Sequence, residues 1–267
     1  DGKVDVEYAT DWTWKLDDKE YKMFGKEDKP MEILPGTYTI SEIQKDGYHV
    51  KSMMCDNGGV KFFEEPTEST KLTINSGDKI LCRFTNTRDT GTLIVRKEVI
   101  NDNGGKLKAG EFSFKIGTSK GVGFDQDPTN PLLGENRFEK YPTGIYSIIE
   151  PEANTRGYTT TYDNCDKIVV EKGKEAVCTI TNDDVAPTLT VIKKVVNDNG
   201  GTATANDFGI KLNGDELKFK TWPGEVGKYT YTYFATPEVK SNTKYELEEI
   251  DHPSYKEEKW SCTDDKT

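Results

Sequence analysis

Thr92-Leu-Ile-Val-Arg-Lys-Glu-Val-Ile-Asn-Asp-Asn-Gly-Gly105 returns, barely altered, as Thr188-Leu-Thr-Val-Ile-Lys-Lys-Val-Val-Asn-Asp-Asn-Gly-Gly201. The second stretch begins 96 residues after the first. Side chains of a strand alternate between its faces. Leu93, Val95, Lys97 and Val99 therefore share one face, and Leu189, Val191, Lys193 and Val195 another. Each row sets one lysine among apolar neighbours. Such a lysine must be paired, held neutral or chemically consumed, so its partners must come from other strands of the same unit.

The repetition extends well beyond these stretches. Gly110-Glu-Phe-Ser-Phe-Lys-Ile116 matches Asn206-Asp-Phe-Gly-Ile-Lys-Leu212 at the same offset, and Asp11-Trp-Thr-Trp-Lys-Leu16 shows the same alternation. A strand ending in glutamate follows in each copy: Tyr38 to Glu42, Tyr146 to Glu150 and Tyr245 to Glu249. Next come a turn with a tyrosine (Tyr48, Tyr158, Tyr255) and then a cysteine (Cys55, Cys165, Cys262). Leu81-Cys-Arg-Phe-Thr-Asn86 and Val177-Cys-Thr-Ile-Thr-Asn182 close the first two copies.

Three copies of one unit are thus expected, over residues 1–88, 89–184 and 185–267. The first begins after the place of an opening strand, and the third stops before a closing one. Asp1 is no initiator methionine, so the chain is expected to be a processed or partial product. Short Thr-, Val-, Ile- and Tyr-rich runs between Gly, Asn, Asp and Pro turns predict an all-β protein. The architecture expected is a tandem array of antiparallel, Ig-like β-sandwiches. The short linkers Thr87–Thr90 and Asp183–Pro187 should give a rod.

Composition agrees with small domains. Charged residues make up 31% of the 267 residues and hydrophobic ones 33%, which suits thin cores. A net charge of -11, without basic blocks, argues against nucleic acid and anionic membranes. No apolar run reaches the roughly 20 residues needed to span a bilayer. The repeat alignment pairs Cys55 with Cys82 and Cys165 with Cys178, and leaves Cys262 alone. Buried free thiols are the alternative. Disulfides imply an oxidising, extracellular setting.

In the second copy, Glu150 lies in a row with Tyr146 and Ile148, and Asn182 in a row with Cys178 and Ile180. Lys97, Glu150 and Asn182 are therefore three polar groups on inward faces, each costly to bury alone. The opening Val-x-Lys-x-Val strand, the Tyr-x-Ile-x-Glu strand with its Gly-Tyr, and the closing Thr-Asn resemble the Cna-B-like domains of bacterial surface proteins. Those domains have a prealbumin-like β-sandwich. The resemblance covers all of the second copy and most of the other two.

It implies a self-formed isopeptide bond, with Lys97 as nucleophile, Asn182 as electrophile and Glu150 as proton shuttle. The cysteine pair departs from the family's commonest form and allows a disulfide to serve as the staple instead. A noncovalent Lys–Glu pair capped by Asn is the other reading. The outer copies carry partial sets: Lys193 and Glu249 in the third, Glu42 and Asn86 in the first.

No metal triad, phosphate loop or Ser/His/Asp set accompanies them, and His49 and His252 are the only histidines. No cofactor and no enzyme in the usual sense are expected, only a single-turnover cross-link. Calcium at Asn101–Gly105 or Asn197–Gly201 is a lesser reading than tight turns, and Asp125–Pro128 is read as a loop. Trp12 and Trp14 are read as core. The function expected is a structural stalk or fibre segment on a microbial surface, partnered by other copies or further repeats. An adhesin binding a host protein or glycan is the alternative. A third possibility is a fibre subunit completed by strand donation.

Overall fold

The computed structural model describes residues 11–23, 30–151, 156–222 and 227–263. The segment that opens the first repeat (1–10) and the end of the third (264–267) lie outside the described residues.

The first repeat supplies β1 (Thr13–Leu16), β2 (Lys19–Lys22), β3 (Gly36–Glu42), β4 (Tyr48–Asn57), β5 (Val60–Glu65), β6 (Ser69–Ile74) and β7 (Ile80–Arg88). They form two antiparallel sheets, ordered β2-β1-β3-β6 and β5-β4-β7. Gly58 and Gly59, both at positive φ, make the tight turn between β4 and β5. The Asp56 carboxylate accepts the Gly59 N–H at 3.0 Å. Trp14, Ile40, Met53, Cys55 and Leu72 fill the space between the sheets. Trp12 is buried too, against the edge of Tyr48, as the alternation predicts.

The second repeat supplies β8 (Thr90–Ile100), β9 (Ser113–Ile116), β10 (Val122–Gly123), β11 (Leu133–Pro142), β12 (Gly144–Tyr146), β13 (Ile148–Ile149), β14 (Tyr158–Asp163), β15 (Ile168–Val170) and β16 (Glu175–Asp184). One sheet runs β11-β8-β16-β14, another β10-β9-β13, with β12 paired to β15. Leu93, Val95, Lys97 and Val99 are all buried, as the shared face requires, and Ile94 is buried on the other face. Fully buried Phe114, Ile148, Ile168 and Ile180 anchor this core; such side chains contribute roughly 1.5–3 kcal/mol each.

The strand expected from Tyr146 to Glu150 is broken at Ser147. Tyr146 pairs with Ile168, whereas Ile148 pairs with Ile116. The chain changes sheets there, and Glu150 follows the last paired residue.

The third repeat supplies β17 (Val191–Val196), β18 (Lys211–Leu212), β19 (Asp215–Glu216), β20 (Lys220–Thr221), β21 (Thr230–Ala235) and β22 (Leu247–Glu248). Its sheets run β17-β21-β20 and β19-β18-β22. The expected strand Tyr245–Glu249 shrinks to β22, because β18 offers only two residues to pair with.

The linker between the first two repeats is shorter than expected, since Thr87 and Arg88 belong to β7 and Thr90 to β8. Asp89 alone joins them. Its carboxylate meets His49 Nδ1 at 2.6 Å and Lys172 Nζ at 2.8 Å, and its N–H donates to the Gly47 carbonyl at 2.7 Å.

Compactness divides the chain differently from the repeats. One unit takes Asp1–Val99, Lys108–Arg156 and Thr160–Asn182; the other takes Ile100–Leu107, Gly157–Thr159 and Asp183–Thr267. Hydrogen bonds within the second unit explain its membership. Asp184 accepts the N–H groups of Asn103 (3.0 Å) and Gly105 (2.6 Å). The Tyr158 hydroxyl donates to Asn101 Oδ1 at 2.7 Å and accepts the Leu107 N–H at 3.1 Å. The Ser241 N–H donates to the Asn103 carbonyl at 2.7 Å.

Candidate functional site

β8, the end of β13 and β16 bring Lys97, Glu150 and Asn182 together inside the second repeat. Lys97 is 1% exposed and Asn182 fully buried. Lys97 Nζ donates to Glu150 Oε2 at 2.9 Å. Asn182 Nδ2 donates to Glu150 Oε1 at 2.6 Å. One carboxylate therefore spans the lysine amine and the asparagine amide nitrogen. Asn182 Oδ1 is buried with no hydrogen-bond partner among the described residues, a costly state for an amide oxygen.

The surroundings are aromatic. Lys97 Nζ lies 4.7 Å from the Phe112 ring centre and 5.6 Å from that of Phe124. Burial pulls the Lys97 amine from 10.5 down to about 8, against the opposing pull of Glu150. The Tyr162 hydroxyl accepts the Glu150 N–H at 3.0 Å and donates to the Glu150 carbonyl at 3.1 Å, which fixes that backbone.

Phe124 and Tyr162 escaped the sequence reading. Phe112, read from the repeat only as core, has its counterpart Phe208 96 residues later over Lys193, the ring centre 4.3 Å from Nζ.

The partial sets also assemble. In the third repeat Lys193 donates to Glu249 Oε1. In the first, Asn86 Nδ2 donates to Glu42 Oε1 at 3.0 Å. Glu42 Oε2 and Asn86 Oδ1 are buried without hydrogen-bond partners among the described residues. Burial raises the Glu42 carboxyl above its ordinary value, ahead of the opposing bond from Asn86.

Both expected disulfides are present, Cys55–Cys82 and Cys165–Cys178, and Cys262 is a free, exposed thiol. Cys55 and Cys82 are directly cross-strand partners on β4 and β7.

The Asn-Asp-Asn-Gly-Gly loops turn out to be tied to the tyrosine of the turn, in Gly157-Tyr158 and Ser254-Tyr255. Tyr158 bonds Asn101 in one, and Tyr255 bonds Asn197 in the other. The last glycine of each loop has no room for a side chain, since a Cβ would stand 2.5 Å from the Tyr158 hydroxyl at Gly105 and 2.2 Å from that of Tyr255 at Gly201. Asp102, Asp183 and Asp184 bring carboxylate oxygens within 4.8 Å of one another, but backbone N–H groups already occupy Asp184.

No described helix is long and apolar enough to cross a membrane. The chain resembles the major pilin of Streptococcus pyogenes at 16% identity, covering 62% of this chain and 75% of the pilin, with a TM-score of 0.27. The T3.2 major pilin of the same species is 22% identical (62% and 73% covered, TM-score 0.28). Its T-13 counterpart is 21% identical (62% and 73% covered, TM-score 0.27). No curated protein matches the chain. The profile of the prealbumin-like fold domain matches residues 6–84 and 184–267, most of the first repeat and all of the third. Together with the paired antiparallel sheets of each repeat, that match places the chain in the prealbumin-like fold domain family.

Proposed function

We propose that the chain is a structural segment of an extracellular microbial surface fibre, and that its second repeat closes a covalent bond between Lys97 and Asn182. The observation that carries this reading is the single buried carboxylate of Glu150, hydrogen-bonded to both nitrogens that must exchange a proton.

The chemistry follows from that arrangement. Proton transfer from Lys97 to Glu150 leaves a neutral amine beside a neutral acid, which a dry aromatic pocket favours over an ion pair. A half-turn of the Asn182 amide brings Oδ1 to the acid proton, which satisfies the orphaned oxygen and polarises the carbonyl. The Lys97 Nζ lone pair attacks Asn182 Cγ. The new C–N bond forms, the Cγ–Nδ2 bond breaks, and Glu150 passes the proton that lets Nδ2 leave as ammonia. Fixed neighbours replace a bimolecular encounter. Each molecule reacts once, so the product is a cross-linked fold with no turnover.

A bond from the opening to the closing strand of a sandwich resists unfolding by closing a long loop. The two disulfides add further closures and suit an oxidising exterior. The acidic surface opposes nonspecific association. Other copies or further repeats of the same kind are the partners this role requires.

Intact mass decides the bond. After reduction, the protein should weigh one ammonia less than its sequence, and Lys97→Ala should restore the full sequence mass for that variant. A mass deficit of zero for the reduced native protein sinks the cross-link.

A further inference from the structure

The chain contains four Asn-Gly pairs: Asn57-Gly58, Asn103-Gly104, Asn199-Gly200 and Asn213-Gly214. Each sets an electrophilic side-chain amide beside a backbone nitrogen that no Cβ screens. That nitrogen can close on the amide carbon to give a five-membered imide, but only where the chain is free to bring the two together. The four pairs differ in that freedom.

At Asn57 both reacting groups are engaged. Its Nδ2 donates to Asp78 Oδ1 at 2.8 Å, its Oδ1 accepts the Lys79 N–H at 2.9 Å, and the Gly58 N–H donates to the Lys79 carbonyl at 3.0 Å. Asn213 lies in the turn from β18 to β19. Its Oδ1 accepts the Glu246 N–H at 2.7 Å, and its own N–H donates to the Glu246 carbonyl at 2.8 Å.

Asn103 and Asn199 hold the same place in the two repeated loops, so they differ only in surroundings. Asn103 is half-buried. Its N–H donates to Asp184 Oδ1 and its Nδ2 to the Asp184 carbonyl, each at 3.0 Å. Its carbonyl accepts the Ser241 N–H at 2.7 Å, and the Gly104 carbonyl accepts Asn242 Nδ2 at 2.9 Å. Turning the amide onto the Gly104 nitrogen would break several of these bonds. Asn199 and Gly200 are both exposed. The Asn199 amide donates to Asp198 Oδ1 at 2.8 Å, a neighbour that moves with it. The base of the loop is fixed, since the Asn197 N–H donates to the Tyr229 carbonyl at 2.8 Å and its Nδ2 to the Ala203 carbonyl at 3.2 Å. The tip carrying Asn199 and Gly200 can therefore turn while its ends stay in place.

We propose that Asn199-Gly200 is a self-modifying site, where the third repeat converts asparagine to aspartate and isoaspartate while the other three pairs are held intact. The Gly200 nitrogen gives up its proton to solvent base and attacks Asn199 Cγ. A C–N bond forms, the Cγ–Nδ2 bond breaks, and Nδ2 takes up a proton and leaves as ammonia. Water then opens the imide at either carbonyl, so water is consumed and ammonia released. Either product adds a carboxylate beside Asp198. Isoaspartate also lengthens the backbone by one methylene inside a loop whose ends are pinned.

The test holds the native 267-residue chain for weeks in neutral buffer at body temperature, then maps its peptides by mass and separates isoaspartate from aspartate. Asn199 should convert at least about tenfold faster than Asn103, Asn57 or Asn213, a modest share of what misplacing reacting groups costs. With the disulfides reduced and the chain unfolded in urea, all four should convert at similar rates, because each is followed by glycine. No conversion at Asn199, or a comparable rate at any of the other three in the native protein, overturns the proposal. So does the same ranking after unfolding, which would place the cause in the sequence and not in the fold. Lys97→Ala should leave the conversion unchanged, since this ammonia loss lies in a different peptide from that of the second repeat; a conversion that stops in this variant also overturns the proposal.

Discussion

The first and second repeats share a closing strand, a disulfide and a buried Glu–Asn pair, yet they differ in one strand. In the second repeat, β8 covers β16 and delivers Lys97 to Glu150. In the first, the covering strand is not among the described residues, and Glu42 and Asn86 keep one orphaned oxygen each. Among the described residues, the acid and the amide meet one another with no lysine beside them. The lysine strand supplies two things together: apolar cover for the closing strand and charge for the acid.

The comparison is broken most severely at the amide. Asn182→Ala should remove the cross-link and with it the closure of the chain between residues 97 and 182. Loop-entropy reasoning puts that closure at about 4–5 kcal/mol, seen as a lower denaturation midpoint. Asn86→Ala in the first repeat should cost about 1 kcal/mol, the worth of one hydrogen bond. Equal losses at the two sites, measured by chemical denaturation, would show that no bond forms at Asn182.

The disulfides come next in size. Cys55 and Cys82 are 27 residues apart and Cys165 and Cys178 13 apart, and each closure is worth roughly 3–4 kcal/mol on the same reasoning. Cys55→Ala with Cys82→Ala should make the first repeat the first to be cut by protease. The corresponding pair of changes in the second repeat should leave it folded, because the Lys97–Asn182 bond remains. Equal proteolytic sensitivity of the two variants would argue that the disulfide is the only staple in the second repeat.

The alternation of Leu93, Val95, Lys97 and Val99 is visible in the chain because burial of one strand face imposes period 2 on it. The partners Glu150 and Asn182 were visible for the same reason, each standing in an apolar row. Cys55 and Cys82 could be matched because both repeats keep the spacing. What stayed hidden depends on distant packing. Phe124 reaches Lys97 from just beyond the two-residue strand β10, where no periodicity marks it. Tyr162 fixes Glu150 through a hydroxyl, and nothing in its neighbourhood of threonines marks it. The break at Ser147 was hidden because Tyr146, Ile148 and Glu150 alternate smoothly even though the chain changes sheets between them. The tie between the glycine loop and the tyrosine had the same limit: Asn101 and Tyr158, 57 residues apart, are linked only in the fold.

The acidity of the pair offers a finer test of how the second repeat works. The ammonium–carboxylate pair and the reactive amine–acid pair hold the same number of protons. The groups around Nζ are Glu150 and the Phe112 and Phe124 rings, and burial brings the Lys97 amine down to about 8. Cross-linking of freshly refolded protein should be level through neutral pH and fall about tenfold per unit above roughly pH 8. A rate that instead climbs through pH 8 would mean that the free amine alone limits the reaction and that Glu150 shuttles nothing. Glu150→Gln, which cannot carry the proton, should cross-link at least a hundredfold more slowly, within the usual range for a lost acid–base group.

The smallest expected effect separates staple from scaffold. The Tyr158 hydroxyl joins Asn101 to the Leu107 N–H, and Tyr255 does the same for Asn197 and Ala203. Tyr158→Phe should strip two hydrogen bonds and cost about 1–2 kcal/mol, with the ammonia deficit unchanged. Tyr255→Phe should cost a similar amount, because the two loops are built alike even though, among the described residues, only the second repeat has a complete set of reacting groups. A loss of cross-linking in Tyr158→Phe would show that the loop, and not only the three strands, holds Lys97 in reach of Asn182.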